Sequence, residues 1–216
     1  MRRWPAFLTR GSDAWAGVVV WSAGVVIGLV SERAAFGWDD FSGWIPDLVV
    51  GLVFIGCGVQ AMARDRGTAF LLAAAGFTWF LANFWIDALF LHRGLLVHLL
   101  VAYPGWRARS RLDVVVVTVG YVAAVFVPVW RSEPTAIVLA CVLVVVVARR
   151  FVVSAGRLRR ARRTAFVAAV VFGAAVVIGA VLRSTLGDPD TVDAARLLYQ
   201  AALCCVAFVL TAGLPA

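Results

Sequence analysis

Apolar residues in this chain gather in long unbroken runs separated by short polar or basic stretches. A helix needs about 17–25 such residues to cross roughly 30 Å of hydrocarbon. Runs of that kind, or close to it, cover residues 14–30, 45–62, 68–86, 88–103, 114–130, 135–148, 164–182 and 194–213. Barrel strands would alternate polar and apolar positions, and these runs do not. The pattern predicts an all-α fold: a polytopic integral membrane bundle of about eight transmembrane helices. Two runs are weaker. The sixth has 14 clean residues and must borrow from its flanks. The fourth carries His92, Arg93 and His98. An Arg at a helix centre costs about 2.5–3.5 kcal/mol on insertion scales. Arg93 falls in the second turn, from where it can snorkel to the interface.

Composition agrees. Of 216 residues, 63% are hydrophobic and 15% charged, against roughly 25% in soluble domains. A chain this short cannot hide so much apolar surface in a single core, so lipid must be its main solvent.

All 20 basic residues are Arg, set against 12 acids, for a net charge of +8. Such a surplus fits nucleic acid, an anionic membrane surface or an uneven split across a bilayer. Placing the N-terminus in the cytoplasm decides among them. Fifteen arginines then fall inside: Arg2, Arg3, Arg10, Arg64, Arg66, Arg107, Arg109, Arg111 and seven within 149–163. Five fall outside: Arg33, Arg93, Arg131, Arg183 and Arg196. This obeys the positive-inside rule. Omitting the fourth span would put Arg107, Arg109 and Arg111 outside, so eight crossings fit better than seven. Both termini are then cytoplasmic, in a multi-pass protein of the inner (plasma) membrane. The partner is the lipid bilayer and not nucleic acid.

Smaller features fit. Residues 1–13 form a cytoplasmic N-terminal segment, and 14–213 the transmembrane domain, with no soluble domain. No small-x-small cleavage pattern follows 14–30, so that run is expected to stay as a span. Trp15, Trp38, Trp44, Trp85, Trp106 and Trp130 sit near span ends, as an aromatic belt does. Gly24, Gly28, Gly51, Gly56, Gly58, Gly173 and Gly179 offer small faces for close helix contact. Cys57, Cys141, Cys204 and Cys205 lie in apolar runs without zinc spacing and read as small core residues.

Polar groups inside spans are the candidates for function. Asp47 opens the second span after Pro46, where it either complements the helix dipole or faces an outer vestibule. Trp79, Asn83 and Asp87 recur every four residues, which on a continuous helix is one face. Asp87 also lies within reach of Arg93 across a short turn. His92 and His98 are about 120° apart on the helical wheel, too far for one metal ion. No nucleophile, base and orienter coincide, so no catalytic residue, metal site or cofactor is assigned.

One stretch carries a resemblance. Trp44-Ile-Pro-Asp47-Leu is followed by Gly51 and Gly56, and then by the Arg64-Asp-Arg-Gly67 turn. Next come Gly76-x-x-Trp79-Phe80-x-x-Asn83-Phe84 and Leu91-His-Arg93-Gly94-x-Leu-x-His98-Leu-Leu-x-Ala-Tyr-Pro104. From about Trp44 to Arg107 this resembles the N-terminal membrane portion of a group of bacterial two-component sensor histidine kinases. The resemblance implies a signal-input module. Its last span would lead to a cytoplasmic dimerisation helix with a phospho-accepting His, then an ATP-binding domain. These imply a homodimer, a cytoplasmic kinase region and a response regulator as partners. The kinase region is absent from these residues, so the chain would be an enzyme only as the front part of a longer one. The expectation is a sensor module with Trp44, Asp47, Trp79, Asn83, Asp87, Arg93 and His98 as its polar centre. The alternatives are a small transporter, with Asn83, Asp87 and Arg93 lining a pathway, and a structural membrane subunit.

Overall fold

The computed structural model describes residues 6–108, 110–186 and 188–214. Arg2, Arg3 and Arg109, counted above as inward charges, lie outside the described residues, as do Pro215 and Ala216. The described residues form helices and no strand: α1 (Ala6–Phe36), α2 (Phe41–Ala61), α3 (Arg66–Leu81), α4 (Leu91–Ala102), α5 (Arg111–Val125), α6 (Val127–Arg131), α7 (Glu133–Val152), α8 (Gly156–Thr185) and α9 (Pro189–Ala212). A single 3-10 turn, Ile86–Ala88, joins α3 to α4.

Every expected run contains a helix, but the lengths differ. Five helical segments are long and apolar enough to cross a membrane: Ala14–Phe36, Phe41–Ala61, Glu133–Val152, Leu158–Thr185 and Pro189–Ala212. The helices α3, α4 and α5 have 16, 12 and 15 residues. At 1.5 Å per residue they reach about 24, 18 and 22 Å, short of a full crossing by themselves. Local chemistry sets their ends. Beyond Leu81 come Asn83, Phe84 and Trp85, residues of middling helix propensity, and Trp85 is extended. Pro128 lacks an N–H and crowds the preceding turn, so α5 gives way at Phe126 and α6 starts anew. The sixth run does borrow from its flanks, since α7 extends to Glu133 and Val152.

Starts and stops follow the turn residues. Asp40 caps α2 by accepting from the Gly43 N–H, and Asp65 caps α3 by accepting from those of Gly67 and Thr68. Ser110 and Asp113 form a reciprocal capping box on α5. Gly37, at φ 69°, closes α1 in the left-handed conformation.

Consecutive helices pack as neighbours, and α9 returns to lie against α2 as well as α8. α4 touches α7 and α8, which closes the bundle. Valine-rich faces remain on the outside, including Val115, Val119 and Val122 of α5 and Val138, Val142 and Val145 of α7. Such exposed apolar surface suits lipid and not water.

Helices α1, α2 and α3 approach closely through small residues. A Cβ on Gly76 would stand 2.6 Å from the Gly51 carbonyl oxygen. The fully buried Phe80 ring occupies the space left by Gly28 and Gly51. One turn beyond this knot lie Glu32 on α1, Asp47 on α2 and Asn83 after α3. The glycines therefore determine where these three polar side chains meet.

A cavity walled by polar and aromatic side chains

The cavity occupies about 290 Å³ at the end of the bundle where α1 and α3 finish and α2, α4 and α9 begin. Asp47, Trp79, Asn83, His92, Arg93, Arg196, Tyr199 and Gln200 line it, with Phe36, Ala82, Leu89 and Phe90.

Asp47, which is buried, is the hub. One of its carboxylate oxygens accepts from Gln200 Nε2 at 3.1 Å and lies 3.6 Å from Arg196 Nη2. The other accepts from Asn83 Nδ2 at 3.4 Å. The same Asn83 nitrogen donates to Glu32 Oε1 at 3.1 Å, so one amide bridges two carboxyl groups. Glu32 is fully buried, and its Oε2 has no hydrogen-bond partner. Trp79 Nε1 donates to the Asp47 main-chain carbonyl at 3.0 Å. Arg196 also donates to the Gly43 carbonyl at 3.3 Å.

A second group centres on Tyr199. Its hydroxyl accepts from Arg93 Nε at 3.0 Å and lies 3.0 Å from His92 Nε2. The Arg93 guanidinium stands over Phe90, Trp130 and Tyr199, 4.6, 4.7 and 5.0 Å from the ring centroids. Trp79 meets His92 edge-on at 4.8 Å. Arg196, Tyr199 and Gln200 share one face of α9 by their spacing of three and four residues.

Beneath the cavity the bundle turns apolar. Val50, Phe54, Leu72, Ala75, Leu96, Leu99, Phe172, Leu203 and Val206 are all buried. The far end is polar again and holds arginines. Arg150 pairs with Asp113 at 3.2 Å and donates to the Val101 carbonyl, and Arg162 donates to Ser154 at 2.6 Å. There the last turn of α9 is gripped from two sides. Tyr103 donates to the Leu210 carbonyl at 2.8 Å, and Arg64 to that of Thr211 at 3.4 Å.

Four of the seven expected residues, Asp47, Trp79, Asn83 and Arg93, come together in the cavity wall. Trp44 packs beside Trp38 and Phe41, with centroids 5.5 Å away in each case, outside that wall. Asp87 does not share a face with Trp79 and Asn83, because α3 stops at Leu81 and Asp87 sits exposed in the 3-10 turn. Arg93 turns to Tyr199 and aromatic rings instead of to Asp87 or the interface. His98 belongs to the far end, where it binds the Tyr121 hydroxyl at 2.9 Å and the Trp106 carbonyl at 2.7 Å.

Sequence reasoning missed Glu32, Arg196, Tyr199 and Gln200. Two signals were present. Gly24, Gly28 and Glu32 recur every four residues, so the acid sits on the packing face. The polar trio of α9 follows the same inward-facing rule that drew attention to Asn83. Among the described residues, no group of three or more His, Cys, Asp or Glu side chains is arranged to hold a metal ion. Asp47, His92, Arg93, Arg196, Tyr199 and Gln200 give the wall both charge and hydrogen-bonding groups. No family model, curated protein or solved structure matches the chain.

Proposed function

We propose that the chain is a membrane-embedded signal-input module of the kind that precedes a sensor histidine kinase core. The observation that carries this reading is the role of α9. Its first half supplies Arg196, Tyr199 and Gln200 to the cavity, and its last turn is held by Tyr103 and Arg64 at the far end. A change in the cavity therefore bears on a rigid helix that reaches the other end of the bundle. The resemblance carried by Trp44 to Arg107 puts the output connection at the end of that helix.

In this reading the bundle makes eight crossings of the inner membrane, with its arginine-rich end in the cytoplasm. The short helices α3 to α5 complete their crossings with the 3-10 turn, α6 and flanking turns. Irregular backbone at membrane depth is tolerated where protein covers it. The apolar floor beneath the cavity weighs against the alternative of a permease, which needs a polar route through both halves.

The test joins residues 1–216 to the dimerisation and ATP-binding regions of a two-component kinase. Response-regulator phosphorylation is then measured in membranes. Coupling free energies of about 1–3 kcal/mol shift such equilibria about 5–150-fold. Asp47→Asn and Gln200→Ala are expected to change basal output at least fivefold. Output identical to the parent in both variants, at equal expression, would contradict the proposal.

A further inference from the structure

We propose that the cavity binds a small organic carboxylate, held by Arg93 and Arg196, with a donor group of the ligand turned to Gln200. This deepens the sensing reading and rests on it only in making that carboxylate the stimulus.

Arg93 is the first observation. Its Nε donates to the Tyr199 hydroxyl, and the Phe90, Trp130 and Tyr199 ring centroids stand 4.6, 4.7 and 5.0 Å from its guanidinium carbon. Among the described residues no carboxylate lies within ion-pair distance of it. Among the described residues the only side-chain hydrogen bond of Arg93 is through Nε, which leaves its Nη donors for a carboxylate. Asp47 does not serve, since Arg196, Asn83 and Gln200 already engage both of its oxygens.

Gln200 is the second, independent observation. It is 4% exposed, lines the cavity and donates its Nε2 to Asp47. Its Oε1 is buried with no hydrogen-bond partner. A buried acceptor without a partner, on a residue of the cavity wall, is one that a ligand donor reaching it would satisfy. An N–H or O–H on the ligand meets that need.

The wall sets two arginines, Arg93 and Arg196, against one carboxylate, Asp47, which outweighs the negative ends of α1 and α3 that also finish there. The first residues of α4 border the cavity through Leu89, Phe90, His92 and Arg93, and Phe90 supplies no side-chain cap. The helix therefore presents its positive end to the same space. A volume of about 290 Å³ lies at the lower edge of the roughly 300–1,000 Å³ of drug-sized sites. With Phe36, Trp79, Phe90 and Tyr199 as walls, it suits a molecule with one ring.

The experiment uses the full chain in phosphatidylcholine nanodiscs and titration calorimetry. The probes are 4-hydroxyphenylacetate, phenylacetate and benzoate, with 4-hydroxyphenylacetamide and tyramine as neutral and cationic counterparts. Saturable binding of at least one acid is expected, with the amide and amine at least tenfold weaker, as loss of a hydrogen bond to a charged group implies. Arg93→Gln should weaken the acid by at least tenfold and Arg93→Lys by less, while Arg111→Gln at the far end leaves it unchanged. Melting curves identify the variants that fold. Equal binding of acid, amide and amine would overturn the proposal. So would undiminished binding in folded Arg93→Lys and Arg93→Gln, or no saturable binding of any acid up to its solubility. Adding phosphatidylglycerol tests the other source of an anion, a lipid headgroup. Acid affinity that falls as the phosphatidylglycerol fraction rises would assign the site to lipid and overturn the proposal. A chain that binds an acid but leaves the fused kinase unmoved keeps this proposal and removes the sensing reading. Output that responds to Asp47→Asn without carboxylate binding does the reverse.

Discussion

Asp47 shows what a single side chain contributes to this site. It accepts from Asn83 and Gln200 and pairs with Arg196, so three side chains, from α9 and the turn after α3, depend on one carboxylate. Asp47→Ala leaves the Gln200 amide without its acceptor and Arg196 without its counter-ion, while Asn83 keeps Glu32. Each unpaired buried donor costs about 1–3 kcal/mol, and hydrogen bonds between membrane helices average near 0.6 kcal/mol. A loss on the order of 2–4 kcal/mol is therefore expected in denaturant titration of the detergent-solubilised protein. Asp47→Asn keeps the size of the side chain and one acceptor oxygen, so its loss should be smaller. The sequence made Asp47, Trp79, Asn83 and Arg93 visible because each is polar or amphipathic beside an apolar run. It hid Tyr199 and Gln200 in a stretch read only for its hydropathy. Asp87 misled for a physical reason: spacing of four residues aligns side chains only while the helix continues, and α3 ends at Leu81.

Between elements, the controlling feature is the approach of α2 to α3. An added methyl on Gly76 would meet main-chain atoms, the Gly51 carbonyl oxygen at 2.6 Å and the Ile55 nitrogen at 3.1 Å. Backbone cannot step aside as a side chain can, so Gly76→Ala should destabilise by about 1–3 kcal/mol, the usual cost of overpacking. Gly179→Ala is the contrast. Its nearest neighbour is the Arg183 guanidinium at 3.3 Å, a movable group, and Ala gains up to about 1 kcal/mol of helix propensity over Gly. That variant should melt at or above the parent temperature in the same detergent. Both glycines lie in apolar runs, and only the packing distinguishes them. Cap residues were more legible. Asp65 stands one residue before α3 and holds the Gly67 and Thr68 N–H groups, so Asp65→Ala should cost about 1 kcal/mol. Helix lengths were less so, because hydropathy runs on through residues 82–90 while the backbone turns there.

On the scale of the whole molecule, polar groups concentrate at two ends with an apolar middle between them. The sequence count assigned arginines to alternate sides of a membrane, and in the structure arginines gather at both ends of the bundle. Arg64, Arg150 and Arg162 belong to one end, and Arg93, Arg183 and Arg196 to the other. The closing contact of α9 on α2 was not readable from hydropathy, since lipid-facing and helix-facing apolar residues look alike in it. The proposed arrangement has eight crossings with the polar cavity toward the outside, and the short helices α3, α4 and α5 test it most severely. Paired alkaline phosphatase and green fluorescent protein fusions after Asp87, Arg107, Ser132, Arg163 and Leu186 test it directly. Fluorescence without phosphatase activity is expected at Arg107 and Arg163, and phosphatase activity without fluorescence at Asp87, Ser132 and Leu186. Phosphatase activity at Arg107 or Arg163 would contradict it.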